Sequence, residues 1–365
     1  MRKLLCIDCR MISNSGIGRY ISEILPYIID KFKEEVVLLG KKEELQQYNT
    51  PILEFNAPIY SIQEQLKYSR IIPKSKLFWS PHFNIPLFPI HSEKRITTIH
   101  DAYHLAYYKN LSLFQKIYAK TVINAALKKS DKIITVSNFS KKELLQYTHS
   151  IYKDKIEVIY NGISDKKSDE NNKNVSVIPY PYILYVGNIK PHKNLENALE
   201  AYALFLKKHS EITTKPLFKI VGKKDGFING SQDRLKKILD NNPVLNEFVV
   251  FTGFVSDIEL NKLYSEALAF IFPSKYEGFG LPLLEAMRAN CPVLASNIPP
   301  IREICGDSVL YFDPESINDI SEKISLIYFS KDLRKELINK GDRIYKKYLW
   351  EASAKKHLNI IMQLL

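Results

Sequence analysis

The stretch Leu268-Ala-Phe-Ile-Phe-Pro-Ser-Lys-Tyr-Glu277-Gly-Phe-Gly-Leu-Pro-Leu-Leu-Glu285-Ala-Met-Arg-Ala-Asn290 reads as a strand, a loop and a helix in succession. Its opening LAFIF is apolar without alternation, as expected of a strand buried on both faces of a parallel sheet. Gly278 and Gly280 permit close backbone approach in the loop, and Pro282 suits the first turn of a helix. Free N–H groups at such a helix start can bind an anion such as a phosphate. Glu277 stands in the loop and Glu285, eight positions on, falls within the first helical turns, so both carboxylates can reach one ligand. Taken alone, Glu285 reads equally well as a favourable charge at a helix start.

Outward from this unit the same alternation of short apolar runs and longer amphipathic stretches recurs. Strand-like runs occupy Tyr182–Val186, Phe218–Val221, Val249–Phe251, Ala267–Phe272, Pro292–Ala295 and Val309–Phe312, with helical patterns at Leu195–Lys208, Gln232–Asn241, Asp257–Ser265 and Leu283–Ala289. An earlier series has strand-like runs at Lys3–Asp8, Val36–Leu39, Ile96–His100, Lys132–Val136 and Ile156–Ile159, with helical patterns at Arg19–Phe32 and Leu113–Lys129. Between the series, the polar stretch SDKKSDENNKNVSV after Gly162, followed by Pro179 and Pro181, has the composition of a linker. Two helices close the chain, Ile317–Tyr328 and a second from Lys331 with a break near Trp350.

Two βαβ series joined by a linker imply an α/β chain of two doubly wound Rossmann-like domains facing an interdomain cleft. The expected division is 1–170, 171–345 and a final helix, 346–365, packing back on the first domain. In such sheets ligands sit at the carboxyl ends of the strands.

The 365 residues are about two domain-lengths, and 45% hydrophobic with 25% charged residues is an ordinary globular composition. Lys and Arg number 52 against 40 Asp and Glu, a net charge of +12 that points to an anionic partner. Residues 1–165 hold 24 basic and 16 acidic side chains, so most of the surplus lies in the first half. No apolar run reaches the roughly 20 residues of a membrane span. The start MRKLLCIDCRMIS, broken by Asp8 and Arg10, reads as a first strand rather than a signal peptide, so a cytoplasmic chain is expected. Cys6-x-x-Cys9 matches a redox spacing, but in a strand the two point to opposite faces, so reduced, partly buried thiols are expected.

The Glu277-Gly-Phe-Gly-Leu-Pro-x-x-Glu285 stretch resembles the E-x7-E signature of retaining glycosyltransferases of the family-4 type, which have the two-Rossmann GT-B fold. Further matching pieces in the same order are HDAYHL at His100, TVSNFSKKEL at Thr135, VIYNGI at Val158, YVGNIKPHKN at Tyr185, VVFTGFVSDIELNKLYSEA from Val249, PVLASNIPPIREICGDSVLYFDP from Pro292 and Trp350 opening the last helix. The resemblance covers nearly the whole chain. It implies that Glu277 contacts hydroxyls of the transferred sugar, that Glu285 serves the nucleotide ribose, and that backbone amides around Gly278, Phe279, Gly280 and Leu281 meet the sugar and phosphates. It assigns Lys193 to the diphosphate, as a compact charge suited to phosphate. Asn188 and His192 stand where relatives often carry arginine, so the rest of that clamp falls to Lys190, His192 or another group, and diphosphate affinity is expected to follow His192 protonation. The resemblance places His100 beside the transferred sugar and the Gly16-Ile-Gly18 turn near the donor phosphates. Read from the residues, that turn lacks the third glycine of a dinucleotide fingerprint, since Ile21 stands there, and it serves equally as a plain helix entry.

No metal and no cofactor are expected: no His/Cys/Asp cluster has ligand spacing, D-x-D is absent, and the nucleotide sugar is a substrate. The opening D-x-R-M-I-x-x-S-G-I-G-R-Y and the YEGFGLP form resemble bacterial mannosyltransferases of O-antigen or capsule assembly, which suggests GDP-mannose as donor, with UDP- or dTDP-sugars as alternatives. The acceptor expected is a saccharide, free or on a polyprenyl diphosphate. Leu113–Lys132 carries five lysines among apolar positions and reads either as a basic amphipathic helix lying on anionic membrane, at the inner face of the cell membrane, or as a solvated face packed on the sheet. Rival readings are a nucleotide-sugar epimerase on the same architecture and a non-enzymatic basic protein on membrane or nucleic acid. The scattered lysines and missing nucleic-acid motifs argue against a nucleic-acid partner.

Overall fold

The computed structural model describes residues 3–107, 112–165, 181–222 and 231–365. It divides into two compact units, Met1–Gly162 with Leu349–Leu365, and Ile163–Tyr348. Most of the stretch read as a linker, with position 170 inside it, lies outside the described residues.

The sheet of the first unit holds β1 (Lys3–Asp8), β2 (Val36–Gly40), β3 (Ile52–Glu54), β4 (Ser75–Ser80), β5 (Ser92–Ile99), β6 (Lys132–Thr135) and β7 (Ile156–Val158), in the order β3-β2-β1-β4-β5-β6-β7. Every pairing is parallel. β2 is buried at each position, which is why VVLLG shows no alternation. Right-handed crossovers running outward from β1 to β3 and back from β3 to β7 fall on opposite faces of this order. Helix Ser15–Phe32 therefore covers one face, burying Tyr20, Ile21, Ile24, Leu25 and Ile28. Helices Ile62–Ile71 and Leu113–Lys129 cover the other.

Two of these strands escape a reading by pattern. β3 is three residues long and only half buried. β4, SKLFWS, is central, yet its serines and lysine leave just three consecutive apolar residues to announce it. β5 starts at Ser92, before the apolar run, because Ser92 and Lys94 pair in register with Ser75 and Leu77. Backbone pairing needs no apolar side chain.

The chain returns to the first unit in helix Trp350–Leu364. The Tyr20 hydroxyl lies 2.6 Å from His357 Nε2, and His357 Nδ1 lies 2.8 Å from the Ser353 carbonyl. A carbonyl only accepts, so Nδ1 carries the proton and Nε2 accepts from Tyr20. Tyr20 also meets Trp79 and Trp350 edge-on. A Cβ on Gly162 would stand 2.2 Å from the Trp350 backbone nitrogen, so this crossing admits only glycine.

The second unit repeats the plan with β8 (Tyr182–Val186), β9 (Leu217–Val221), β10 (Val249–Gly253), β11 (Ala269–Phe272), β12 (Val293–Ser296) and β13 (Leu310–Phe312), ordered β10-β9-β8-β11-β12-β13. All its pairings are parallel as well. Helix Leu195–Lys208 buries Leu195, Leu199, Tyr202, Phe205 and Leu206 against this sheet together with Ile320, Ile324 and Ile327 of helix Ile317–Phe329. Strand order reverses between β1 and β4 in one unit and between β8 and β11 in the other. Ligands of open α/β sheets bind outside the carboxyl ends at such points. All four cysteines are free and buried, and burial pushes the Cys6 and Cys9 thiols up, with Asp8 adding to it. Such thiols are inert.

Candidate active site

In the second unit, the loops leaving β8 and β11 are knit together at the reversal point. A short 3-10 turn, Pro191–Lys193, follows β8 and ends at Asn194 in the left-handed region. The buried Asn194 amide donates to the Pro273 carbonyl at 3.1 Å and to the Pro314 carbonyl at 2.8 Å. The Lys275 amide donates to the His192 carbonyl at 2.8 Å. These bonds, each worth about 1 kcal/mol net, hold the turn in one place.

The result is an ion pair between Lys193 Nζ and Glu277 Oε1 at 2.6 Å, with side chains 24% and 11% exposed. Lys193 also stands 5.8 Å over the Phe272 ring. Gly280 caps the following helix, Leu281–Arg288, at φ 101°, and a Cβ there would meet Leu283 Cδ1 at 2.8 Å. Pro282 occupies the first turn, and no side chain caps the helix start at Gly280. The Phe279 ring is buried edge-on against Tyr348, so that residue offers a ligand its backbone and not its ring. Glu285 Oε2 accepts from the Tyr264 hydroxyl at 3.2 Å. Asn188 is exposed, and its carbonyl accepts from the Tyr185 hydroxyl at 3.2 Å.

His192 lies in the same turn as Lys193. Burial and the flanking Lys193 and Lys190 push its imidazole down to about 3. Without a bound anion it is therefore neutral from pH 6 to 8.

In the first unit the two glycines separate into different kinds. Both lie in the first turn of helix Ser15–Phe32, whose Asn14 cap makes no side-chain hydrogen bond. A Cβ on Gly18 would stand 2.2 Å from the Ile12 carbonyl oxygen, whereas one on Gly16 would meet nothing within 4 Å. Gly18 is required by the backbone, and Gly16 stands in open space. His100 follows β5, and its Nε2 donates to the Pro81 carbonyl at 2.9 Å while Tyr20 packs edge-on at 4.8 Å. Burial pushes this imidazole down, so it is neutral with Nδ1 as its accepting nitrogen.

A buried polar cluster at the end of β1 was not legible as a site. Arg10 donates to Asp8 Oδ1 at 2.8 Å and Oδ2 at 2.7 Å, and to Glu64 Oε1 at 2.7 Å. It also bonds the Tyr68 hydroxyl and lies over the Phe55 and Tyr68 rings. Asn84 donates to Glu64 Oε1 at 2.7 Å. Burial alone would raise the Asp8 carboxyl, but Arg10, with help from His82 and Tyr68, holds it below the usual range. The only sequence signal was Asp8-x-Arg10 at a strand end; Glu64 joins from 54 residues away.

Among the described residues, no group of three or more His, Cys, Asp or Glu could hold a metal ion, and no helix is long and apolar enough to cross a membrane.

The chain matches two family models in succession, "Glycosyltransferase Family 4" over residues 16–167 and "Glycosyl transferases group 1" over residues 166–343. It is 30% identical over 262 residues to the O-antigen chain mannosyltransferase RfbU of Salmonella typhimurium, covering 70% of this chain and 66% of that one. It is 26% identical over 292 residues to the O-antigen chain mannosyltransferase B of Escherichia coli, covering 78% of this chain and 74% of that one. The aligned region thus spans just under two thirds of the Salmonella relative. Among solved structures, sucrose-phosphate synthase of Thermosynechococcus elongatus superposes with a TM-score of 0.79 at 19% identity, covering 100% of this chain and 99% of that one. Anabaena HepE in complex with UDP and glucose gives 0.76 at 17% identity, covering 99% and 100%. These likenesses show the fold.

Proposed function

From the premise that the chain belongs to the glycosyltransferases, with a family-4 first half and a group-1 second half, we propose that it moves a hexose, with retention, from a nucleotide sugar to a saccharide or lipid-linked saccharide. The donor proposed is GDP-mannose and the setting surface-polysaccharide assembly, in keeping with relatives named as O-antigen mannosyltransferases. The observation that carries the reading is the Lys193–Glu277 pair beside the helix start at Leu281. It sets a cation and a carboxylate side by side where the sheet order reverses.

Breaking a sugar–diphosphate bond builds positive charge on the sugar and negative charge on the leaving group. Lys193 and the amides of Gly280 and Leu281 are suited to the leaving diphosphate, and such preorganised electrostatics usually supply the largest share of catalysis. Glu277 is then released to hydroxyls of the sugar, and Glu285, oriented by Tyr264, to the ribose. His100 and the Gly16 turn are the contribution assigned to the first unit. A glycosidase-type retaining mechanism needs a second carboxylate about 5–5.5 Å from the first. With Glu285 committed to ribose, the reading favours front-face attack, in which the departing phosphate oxygen takes the acceptor proton. Needing no metal belongs to the same reading, since fixed cations and amides offset the diphosphate charge.

The test is a thermal-shift screen of GDP-, UDP- and dTDP-sugars, followed by transfer assays on polyprenyl-diphosphate-linked acceptors with the product anomer read by NMR. GDP-mannose should stabilise the protein most, and the product should keep the donor's α configuration. Stabilisation by another nucleotide sugar alone would replace the donor, and an inverted product would refute retention.

A further inference from the structure

We propose that Tyr60, Phe83 and Asp101 of the first unit form a subsite that holds a neutral pyranose ring of the acceptor saccharide. They stand on the connections that leave the carboxyl ends of β3, β4 and β5, and parallel pairing brings those ends to one edge of the sheet. There the Tyr60 ring stacks on Phe83 at 5.9 Å, tilted by 21°, and Tyr118 meets it edge-on at 5.8 Å. His104 packs edge-on against Phe83 in turn, at 5.3 Å.

Tyr60 is held in an unfavourable pose. Its φ of 66° lies in the left-handed region, which bulky L-residues rarely enter. Yet 41% of the residue faces water, so the pose serves no core packing that an ordinary conformation would forfeit. A buried polar network fixes it. The Tyr60 amide donates to Glu64 Oε2 at 2.8 Å, while Glu64 Oε1 accepts from Arg10 and from Asn84 at 2.7 Å each. The Tyr118 hydroxyl donates to Asn84, so the edge-on neighbour is tied to the same network. Fully buried charges thus present one strained aromatic ring at the ligand edge of the sheet, and strain kept in this way marks a functional position.

Asp101 supplies the polar half. Its Oδ1 accepts from the Tyr103 amide at 2.9 Å, and no cation among the described residues pairs with it. Burial, with the Glu64 and Asp101 carboxylates nearby, pushes the Tyr60 hydroxyl up to about 12, so it stays protonated. A pyranose has a face of C–H bonds and a rim of hydroxyls. The C–H face answers the negative face of an aromatic ring, and the hydroxyls donate to a carboxylate. A phosphate would meet Asp101 with like charge, and an aliphatic chain would leave the carboxylate unanswered. A neutral sugar satisfies both halves.

This deepens the proposed function by naming groups that hold the acceptor, and it rests on that reading only for calling the ring an acceptor. Binding is measured without donor, so it can fail while transfer stands. Saturation-transfer NMR is recorded on the full chain with the methyl α-glycosides of mannose, rhamnose, galactose, glucose and N-acetylglucosamine, and with the same sugars carried on farnesyl diphosphate. At least one sugar should receive saturation, strongest at its ring C–H protons. Tyr60→Gly and Tyr60→Asn both accept a positive φ, so the fold should survive while binding weakens about tenfold or more. Asp101→Asn keeps the contact to the Tyr103 amide and should weaken binding by about tenfold. Tyr27→Ser, at an exposed site on helix Ser15–Phe32, should leave binding unchanged. Circular dichroism melts of each variant check folding. Binding of the carried sugar alone, lost in Tyr60→Gly, would make a lipid-linked saccharide the source of the ring; binding of the free glycoside with the same dependence would admit a free one. No saturation of any sugar in either form would overturn the proposal. So would binding that both Tyr60 variants leave intact, or displacement of the sugar by GDP or by farnesyl diphosphate alone.

Discussion

Both sheets reverse strand order at their centre, and at each reversal a loop-borne cation meets a carboxylate. In the first unit Arg10 meets Asp8 and Glu64 with side chains 3%, 0% and 0% exposed. In the second, Lys193 meets Glu277 with side chains 24% and 11% exposed. The first cluster is bidentate, closed over by Phe55 and Tyr68, and joined to Asn84. The second is one contact between two loops held by Asn194 and not by the ions themselves. Removing one partner from a fully buried pair leaves a stranded charge, whereas a pair that still reaches solvent can exchange its partner for substrate. Chemistry belongs where the ion pair is dispensable to the fold.

The comparison breaks first at Arg10. Arg10→Met should destabilise the protein by about 3–5 kcal/mol, read as a drop in urea midpoint, because Asp8 and Glu64 lose their cation. A change within about 1 kcal/mol would remove the distinction between the two pairs. Lys193→Ala should do the reverse: a loss of about 10²–10³ in kcat, with stability altered by no more than about 1 kcal/mol. Gly280→Ala comes next, costing about 1–2 kcal/mol for a left-handed residue with a Cβ. Because that strain falls on the helix start, donor binding should weaken along with the melting temperature.

The last effect concerns protons. Burial holds His82 and His357 of the first unit near 4, against 6.5 for a free imidazole. Between pH 6.5 and 4 the unfolded chain takes up protons that the folded one refuses, so stability falls as pH drops through that window and is level above it. His357→Gln, which keeps a polar partner for Tyr20, should flatten the fall in urea midpoint by about one proton's worth. An unchanged slope would mean that His357 is charged in the folded protein.

What could be read from the sequence follows the reach of each interaction. The β11 strand, its Glu277-Gly-Phe-Gly loop and the helix from Leu281 were legible because Gly, Pro and a buried run act within twenty residues. The Lys193–Glu277 contact spans 84 positions and exists because β8 and β11 are neighbours in the sheet, which no local pattern announces. β4 was illegible for the related reason that its partners, β1 and β5, supply the burial that its own serines and lysine do not. Asp8-x-Arg10 was visible only as part of a family-like opening; its closure by Glu64 and Asn84 required the fold. The downward push on the His192 imidazole comes mainly from burial, which no local pattern shows.

The central claim, that Glu277 works on the sugar while the nucleotide is held by other groups, is tested most directly by comparing Glu277→Ala with the parent protein in two assays. One measures sugar transfer, and the other measures nucleoside diphosphate affinity by calorimetry. Transfer should fall by about 10³ or more, while affinity stays within about threefold of the parent. Parallel loss of both, or transfer that survives the substitution, would contradict it.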